Sequence, residues 1–293
     1  MATAQQWWQG ARPRTLPAAI APVATGAGVA AYYSSFDALL ALLALVVALA
    51  FQVAVNFAND YSDGVRGTDD ERSGPMRLTA TGVAAPAAVK RAAGISFSVG
   101  AAAGLLIVAL TAQWWLLAVG AACIAAAWYY TGGRTPYGYR GLGEVSVFVF
   151  FGLVATMGTA YIQMERLSWL ALVAACGVGA LAVALLVVNN LRDIPTDAAV
   201  GKMTLAVRLG DRGTRVLYVV LLAVALGGVV AVAVGWTPAA LLALVAFIPV
   251  APPIGAVASR ASGRDLIPVL VATGQIQLVY GLVLGIGLAL PTP

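Results

Sequence analysis

The stretch ALLALLALVVALAFQVAVNFANDYSD, residues 38–63, decides the fold because an apolar run ends in a cluster of two asparagines and two aspartates. A helix needs about 20 mostly apolar residues to cross the hydrocarbon layer of a membrane. Residues 38–59 meet that length. Carboxylates at the edge of the hydrocarbon are costly without a partner. The stretch therefore predicts a membrane helix that carries a functional polar cluster.

The whole chain has the composition of an integral membrane protein. Of its 293 residues, 61% are hydrophobic and 10% are charged, and the mean hydropathy is +0.90. Soluble domains are about 45–50% apolar and about 25% charged. We predict an all-α bundle of nine transmembrane helices around a central cavity, forming one membrane domain over 1–293. The predicted spans lie near 16–33, 38–59, 87–110, 114–131, 143–162, 168–191, 214–235, 237–259 and 265–290.

The basic residues are distributed unevenly over the loops between these spans. Of the 17 Lys and Arg residues, 16 fall on one side and only Arg166 on the other. The positive-inside rule makes the basic side cytoplasmic, with the N-terminus inside and the C-terminus outside. This topology accounts for the pI of 9.4 without a nucleic-acid partner. The long polar loops, about 60–86, 132–142 and 192–213, lie on the cytoplasmic side.

The first polar cluster has helical spacing. Asn56, Asp60 and Asp63 fall at i, i+4 and i+7, and Asn59 precedes Asp63 by four residues. If the helix continues through them, their side chains project from one face. Carboxylate and amide oxygens are ligands that suit Mg²⁺, so the cluster predicts a metal site.

A second cluster closes the sixth predicted span. Asn189, Asp193 and Asp197 recur at intervals of four residues. Pro195 has no N–H to donate to the carbonyl of Leu191, which predicts a break or kink in this helix. Four spans separate the two clusters, so both return to the same membrane face and can form one site.

Cations accompany the acids on the same cytoplasmic loops. Arg66 and Arg77 flank the first loop, Arg134 lies in a Gly-rich turn, and Lys202 follows the second cluster. Arg binds phosphate through two parallel hydrogen bonds, and Lys acts as a compact charge. Acids and bases together predict a Mg²⁺-diphosphate site and an enzyme acting on a lipid diphosphate.

Several site classes are excluded by residue usage. The chain has no histidine, which excludes Ser-His triads and His-ligated zinc or haem. Cys123 and Cys176 lie within apolar spans without the spacing of a metal or redox pair, and we interpret them as packed core thiols.

These motifs resemble a known family. Asn59-Asp60-x-x-Asp63 with Asp193-x-x-x-Asp197 is similar to the two Asp-rich motifs of the UbiA superfamily of intramembrane aromatic prenyltransferases. Within it, the chain is most similar to the 1,4-dihydroxy-2-naphthoate polyprenyltransferases. That similarity lies in Ala11-Arg12-Pro13-Arg14-Thr15-Leu16-Pro17, Gly74-Pro75, Tyr137-Gly138-Tyr139, Gly143-Glu144 and Gly201-Lys202-x-Thr204-Leu205.

The chain departs from the superfamily pattern at two positions. A third Asp is common four residues after Asp63, where this chain has Gly67, and Asp69 is the candidate replacement. The superfamily's Tyr-x-x-x-Lys element appears as Tyr130-Thr131-Gly132-Gly133-Arg134. Arg134 preserves the positive charge of that element with a different geometry.

The resemblance implies Mg²⁺-dependent prenyl transfer from a polyprenyl diphosphate to 1,4-dihydroxy-2-naphthoate, with loss of its carboxylate, in the bacterial cytoplasmic membrane. The product would be demethylmenaquinone, a step of menaquinone biosynthesis. The implied metal ligands are Asn59, Asp60, Asp63, Asp193 and Asp197, with Asn56 and Asn189 in support.

The resemblance also implies substrate contacts. Arg66, Arg77, Arg134 and Lys202 would meet the diphosphate, and the acids together with Arg134 and Lys202 would be catalytic. Tyr130 and Tyr139 are candidates to face the allyl cation. Arg12 and Arg14 are candidates to hold the naphthoate carboxylate.

Three alternatives stay open from sequence. The acceptor could be 4-hydroxybenzoate or homogentisate. Asp60-x-x-Asp63-Gly64 is also similar to membrane CDP-alcohol phosphotransferases, although the further spaced acids of their motif are missing. An ion-coupled transporter would use intramembrane acids too. Against it, the charged residues lie on one membrane face.

Overall fold

The computed structural model describes residues 2–68 and 76–291, and these ranges are helical without any β-strand. Asp69 and the Gly74-Pro75 motif lie outside the described residues. The helices are α1 Ala4–Gly10, α2 Pro17–Tyr32, α3 Ala38–Arg66, α4 Pro86–Thr111, α5 Leu116–Tyr129, α6 Gly143–Val147, α7 Ala155–Met164, α8 Trp169–Ala199, α9 Leu205–Gly235, α10 Ala251–Ala258 and α11 Ile267–Ala289.

Several α-helices are extended or joined by π-helical or 3₁₀ segments. A π-helical segment, Phe148–Val154, joins α6 to α7 into one continuous rod, and a 3₁₀ segment, Pro238–Val250, leads into α10. Short 3₁₀ turns lie at Pro13–Thr15, Tyr137–Arg140 and Gly263–Leu266.

Seven helical rods in the described ranges are long and apolar enough to cross a membrane. The bent pair Ala4–Thr15 and Pro17–Tyr32 makes an eighth if it counts as one span. The remaining apolar helix, α5, has 14 residues, fewer than the roughly 20 that cross the hydrocarbon. The prediction of an all-α membrane protein is confirmed, and a ninth span stays a prediction.

The long helices begin at side-chain caps that the sequence places just before the apolar runs. Asp37 accepts from the amide of Leu40 at the start of α3 at 2.9 Å. Ser168 caps α8 and Thr204 caps α9 in the same way. Each cap satisfies an amide that the first helical turn leaves without a partner.

Glycines let the helices approach each other closely. A Cβ added at Gly28 of α2 would lie 2.4 Å from the carbonyl oxygen of Gly285 on α11. A Cβ at Gly152 would lie 2.7 Å from the Cα of Gly179 on α8. Such contacts replace the hydrophobic driving force that lipid removes from helix association.

The expected break at Pro195 does not occur, because α8 continues to Ala199. Helix α8 is the most buried of the candidate spans, with 72% of its apolar stretch inside the protein. Packing against neighbouring helices therefore keeps α8 helical although Pro195 lacks the backbone N–H for one helical hydrogen bond. Helix α3 likewise extends to Arg66. Both acidic clusters therefore lie on helices, and the loops 60–86 and 192–213 are shorter than the sequence predicted.

Candidate active site

A cavity of about 1330 Å³ runs between the helices and contacts both acidic clusters. One part of its wall is apolar, including Val47, Ile107, Leu116, Phe150 and Ile162. The other part carries the basic side chains of Arg12, Arg14, Arg77, Arg192 and Lys202. Oxygen-bearing side chains share that polar part: Asn56, Asn59, Asp63, Asn189 and Asn190.

Three residues of the first cluster, Asn56, Asn59 and Asp63, line this cavity. The Oδ1 of Asn59 accepts a hydrogen bond from the Thr131 hydroxyl at 2.8 Å. The Oδ1 of Asp63 accepts from the Tyr139 hydroxyl at 2.8 Å, and its Oδ2 lies 3.9 Å from a guanidinium nitrogen of Arg77. Both hydrogen-bond donors to these oxygens are neutral hydroxyls, and at 3.9 Å the ion pair of Asp63 with Arg77 is longer than a hydrogen bond.

Asp60 lies behind the cavity wall. Its side chain is fully buried, and its two oxygens accept from the amides of Leu78 and Thr79 at 2.8 and 2.9 Å. The sequence predicted a catalytic metal ligand here. In the structure, the carboxylate instead fixes the backbone directly after Arg77.

In the second cluster, the carboxylate of Asp193 is paired with its neighbour Arg192. The guanidinium donates to both carboxylate oxygens at 2.7 and 2.8 Å and to the Oδ1 of Asn189 at 2.9 Å. Arg192 and Asn189 line the cavity. Sequence analysis placed Arg192 only among the topological charges. Its position between Asn189 and Asp193 was the signal that could have identified it.

Asp197 pairs with Lys202 across the end of α8. The ammonium nitrogen lies 3.4 Å from the Asp197 carboxylate, and Lys202 belongs to the cavity wall. The same ammonium lies 5.2 Å from the centre of the Tyr139 ring, within the range of a cation–π contact.

Tyr139 joins the two clusters. Its hydroxyl donates to Asp63 of the first cluster, and its ring contacts Lys202, the partner of Asp197. Burial, and then the charge of Asp63, raise the pKa of the Tyr139 hydroxyl. The phenol therefore stays a neutral donor at physiological pH. The sequence predicted that Tyr139 contacts the allyl cation. In the structure, Tyr139 is not among the residues that line the described cavity.

Two of the predicted diphosphate ligands lie elsewhere. Arg66 donates to the backbone carbonyls of Thr131 and Gly133 and stacks 5.5 Å from the Tyr139 ring centre. Arg134 is exposed and lies outside the described cavity wall. Arg66 thus holds the loop that follows α5.

The N-terminal segment is attached to the site through Asn56. Its Nδ2 donates to the Ala11 carbonyl and to the Thr15 hydroxyl, each at 2.9 Å. Gln52 donates to the same hydroxyl at 2.8 Å. These bonds hold the segment that carries Arg12 and Arg14, and both arginines line the cavity.

Tyr130 lines the cavity. Its ring meets the Tyr137 ring edge to face, with centroids 5.5 Å apart. Glu144 and Asn190, which sequence analysis did not assign to the site, lie beside it and form a buried hydrogen bond.

The donor set suits a hard cation in its chemistry. Asn59, Asp63 and Asn189 present amide and carboxylate oxygens at the cavity, which are the ligands that Mg²⁺ accepts. Among residues 2–68 and 76–291, no three acidic, His or Cys side chains are arranged as a metal centre. In the second cluster, Arg192 pairs with Asp193 and Lys202 pairs with Asp197.

Known proteins are similar to this chain over nearly its whole length. A relative from Mycobacterium tuberculosis, named 1,4-dihydroxy-2-naphthoate octaprenyltransferase, is 54% identical over 99% of this chain and 98% of its own length. A protein of the same name from Mycobacterium leprae is 51% identical over 96% of this chain and 95% of its own length.

The fold agrees as well. A UbiA homologue from Archaeoglobus fulgidus, solved with GPP and Mg²⁺, superposes with a TM-score of 0.66 at 14% identity, covering 97% of this chain and 99% of that one. The family model for UbiA prenyltransferases matches residues 19–266, which include both acidic clusters. The chain therefore belongs to the UbiA prenyltransferase family.

Proposed function

We propose that this protein transfers a polyprenyl group from a polyprenyl diphosphate to 1,4-dihydroxy-2-naphthoate, with decarboxylation, giving demethylmenaquinone for menaquinone biosynthesis. The observation that carries the proposal is the single cavity whose polar part holds Asp63, Arg77 and Lys202 and whose remainder is apolar. A lipid diphosphate has the same two parts. The names of the relatives at 54% and 51% identity support this acceptor.

The basic residues of the cavity would bind the diphosphate. Breaking the allylic C–O bond leaves negative charge on the diphosphate, and fixed cations stabilise that charge where it develops. Arg77, Arg192 and Lys202 are the cations in the wall nearest the two clusters. Arg192 takes the place in this proposal that sequence analysis gave to Arg66 and Arg134.

Mg²⁺ would be held by oxygens of both clusters. Asn59, Asp63 and Asn189 would offer oxygens from the cavity wall, with Asn56 in support. Asp193 and Asp197 lie outside that wall and would bind the metal once Arg192 and Lys202 turn to the diphosphate. The bound ion would neutralise charge on the diphosphate as the C–O bond breaks. Asp60 would act indirectly, because it fixes the backbone that carries Arg77.

The rest of the cavity divides between the two organic groups. The apolar wall at Val47, Ile107 and Ile162 would take the prenyl chain, which gains about 0.8 kcal/mol per buried methylene. Tyr130 would face the allyl cation with its π electrons. Arg12 and Arg14 would pair with the naphthoate carboxylate before it is lost.

The membrane arrangement follows from the charge distribution. We propose nine spans, with α5 as the short ninth, a cytoplasmic N-terminus and an active site near the cytoplasmic face of a bacterial cell membrane. The 16-to-1 division of basic residues supports this orientation.

The test is product formation by the purified protein in detergent. 1,4-Dihydroxy-2-naphthoate and a polyprenyl diphosphate are supplied with Mg²⁺ or with EDTA, and 4-hydroxybenzoate or homogentisate serves as the control acceptor. We expect metal-dependent formation of the decarboxylated prenyl-naphthoquinone and none with the controls. Transfer to a control acceptor alone would overturn the acceptor. No transfer to any acceptor would return the phosphotransferase and transporter alternatives.

A further inference from the structure

A carboxylate outside the two acidic clusters is buried beside the cavity. Glu144 lies in the first turn of α6 with 6% of its surface exposed. Its Oε1 accepts from the Nδ2 of Asn190 on α8 at 3.0 Å. Its Oε2 is buried and has no hydrogen-bond partner among the described residues. An ionisable group at this depth in a membrane protein is costly and points to function.

The hydrogen bond to Glu144 fixes the orientation of the Asn190 amide. The Nδ2 of Asn190 donates to Glu144, so the amide nitrogen faces the carboxyl group. The carbonyl oxygen and the second N–H of the amide are the polar groups that Asn190 has left. Asn190 is 94% buried and belongs to the cavity wall, and its carbonyl oxygen is not among the buried polar atoms without a partner, so this oxygen is open to the cavity.

Aromatic and apolar groups surround this carbonyl. A Cβ placed on Gly143, next to Glu144, would lie 2.9 Å from the Tyr130 hydroxyl and 3.5 Å from the Cδ2 of Leu186. Leu186 precedes Asn190 by one turn of α8, so both project from the same face. Tyr130, Leu186 and Asn190 all line the cavity. Together they form an aromatic and apolar recess of the cavity that includes the Asn190 carbonyl.

The chemistry of this recess does not suit a diphosphate. The N–H of Asn190 that bonds to Glu144 is not offered to phosphate oxygens. A carbonyl acceptor between an aromatic ring and a leucine suits a ring that carries a hydroxyl group. The acceptor of the proposed reaction has two hydroxyls on a naphthalene ring.

We propose that Asn190 binds a hydroxyl of the aromatic acceptor through its carbonyl oxygen, and that Glu144 is a positioning residue that holds the Asn190 amide in the required orientation. This inference rests on the proposed function and assigns the ring-recognition part of the same cavity. Tyr130 and Leu186 contact the faces and edge of the ring. Because Gly143 has no side chain, the Tyr130 hydroxyl can lie close to its backbone.

The test separates the Michaelis constants of the two substrates. In Asn190→Leu, which keeps the volume and removes the carbonyl, we expect the KM for 1,4-dihydroxy-2-naphthoate to rise about tenfold, the value of one hydrogen bond. The KM for the polyprenyl diphosphate and the Mg²⁺ concentration for half activation should stay at wild-type values.

Variants of Glu144 distinguish positioning from a purely structural role. Glu144→Gln should be mild, since its Oε1 still accepts from Asn190. Asn190→Asp should be severe, because two carboxylates then face each other. The double variant Glu144→Gln/Asn190→Asp reverses the bond, leaves a carboxylate oxygen toward the ring, and should recover the acceptor KM of wild type to within about threefold.

Thermal unfolding in detergent serves as the folding control, and Glu165→Gln, on the opposite side of the predicted topology, is the matched carboxylate control. A wild-type acceptor KM in Asn190→Leu, or failure of the double variant to recover in well-folded protein, would overturn the inference alone. A shifted Mg²⁺ requirement in Asn190→Leu would assign the carbonyl to the metal and overturn it too. Wild-type protein that prenylates no hydroxylated ring would remove the proposed function as well.

Discussion

The acidic clusters on α3 and α8 use the same residue types but hold their charges differently. On α3, the carboxylate of Asp63 accepts its 2.8 Å hydrogen bond from a neutral tyrosine, and its basic partner Arg77 lies 3.9 Å away. On α8, each Asp has a closer basic partner, Arg192 at 2.7 Å and Lys202 at 3.4 Å. The first cluster therefore holds its base more loosely, which leaves the Asp63 carboxylate more open to a cation. The second cluster joins acids to bases, which suits a site where metal and diphosphate meet.

The largest effect is expected at the cavity-facing acid of the first cluster. Asp63→Ala should lower turnover by about 10³-fold, because several kcal/mol of metal-mediated charge stabilisation are lost. Steady-state product formation in detergent measures this. Asp37→Ala is the matched control, since it removes an acid from the other end of the same helix and should leave turnover unchanged. Equal losses in the two variants would contradict a metal role for Asp63.

In the second cluster, we expect the loss of the base Lys202 to weaken diphosphate binding. Lys202→Ala should weaken diphosphate binding by about 10- to 100-fold, the range for a charge-assisted hydrogen bond, while Lys202→Arg keeps most of the affinity. The measurement is the KM for the polyprenyl diphosphate at saturating acceptor. An unchanged KM would show that Lys202 serves only as the partner of Asp197.

The link between the clusters should give a smaller effect. Tyr139→Phe removes the hydroxyl donor to Asp63 and keeps the ring that contacts Lys202, so we expect turnover to fall about fivefold. Because the raised pKa keeps the phenol protonated, its contribution is complete below the ordinary tyrosine pKa of about 10 and is lost only above it. A ratio of wild-type to Tyr139→Phe turnover that collapses between pH 7 and 9 would contradict this.

The smallest effect is expected at Arg134. The side chain is exposed and outside the described cavity wall, so Arg134→Ala should change turnover by no more than about twofold. The matched comparison is Arg77→Ala, whose side chain lies in the wall and which should lose diphosphate affinity. A large loss in Arg134→Ala would show that the loop after α5 moves over the substrate.

Sequence spacing identified both clusters and the helices that carry them, because runs of apolar residues and helical periodicity are local properties. It could not separate Asp60 from Asp63. The partners of Asp60 are the amides of Leu78 and Thr79, which come close only when the following loop folds back. Arg66 and Arg134 look alike in sequence for the same reason, since the carbonyls that hold Arg66 belong to a distant loop.

Two further features of the structure could not be predicted from the sequence. Pro195 predicts a break by its local chemistry, and only the burial of α8 explains why the helix continues. The bond between Glu144 and Asn190 joins residues 46 positions apart, so the sequence does not show that they meet. The polar residues inside predicted spans were nevertheless a usable signal, because the membrane makes each of them costly.

The most direct test of this division of tasks compares the Mg²⁺ activation curves of Asp60→Asn and Asp63→Asn in the purified protein. We expect Asp63→Asn to need at least about tenfold more Mg²⁺ for half activation, since one ligand charge is lost. Asp60→Asn should keep the wild-type Mg²⁺ requirement and lose folded yield, because one backbone hydrogen bond of the Arg77 loop is broken. The opposite pattern, with the Mg²⁺ requirement shifted in Asp60→Asn and unchanged in Asp63→Asn, would contradict the account.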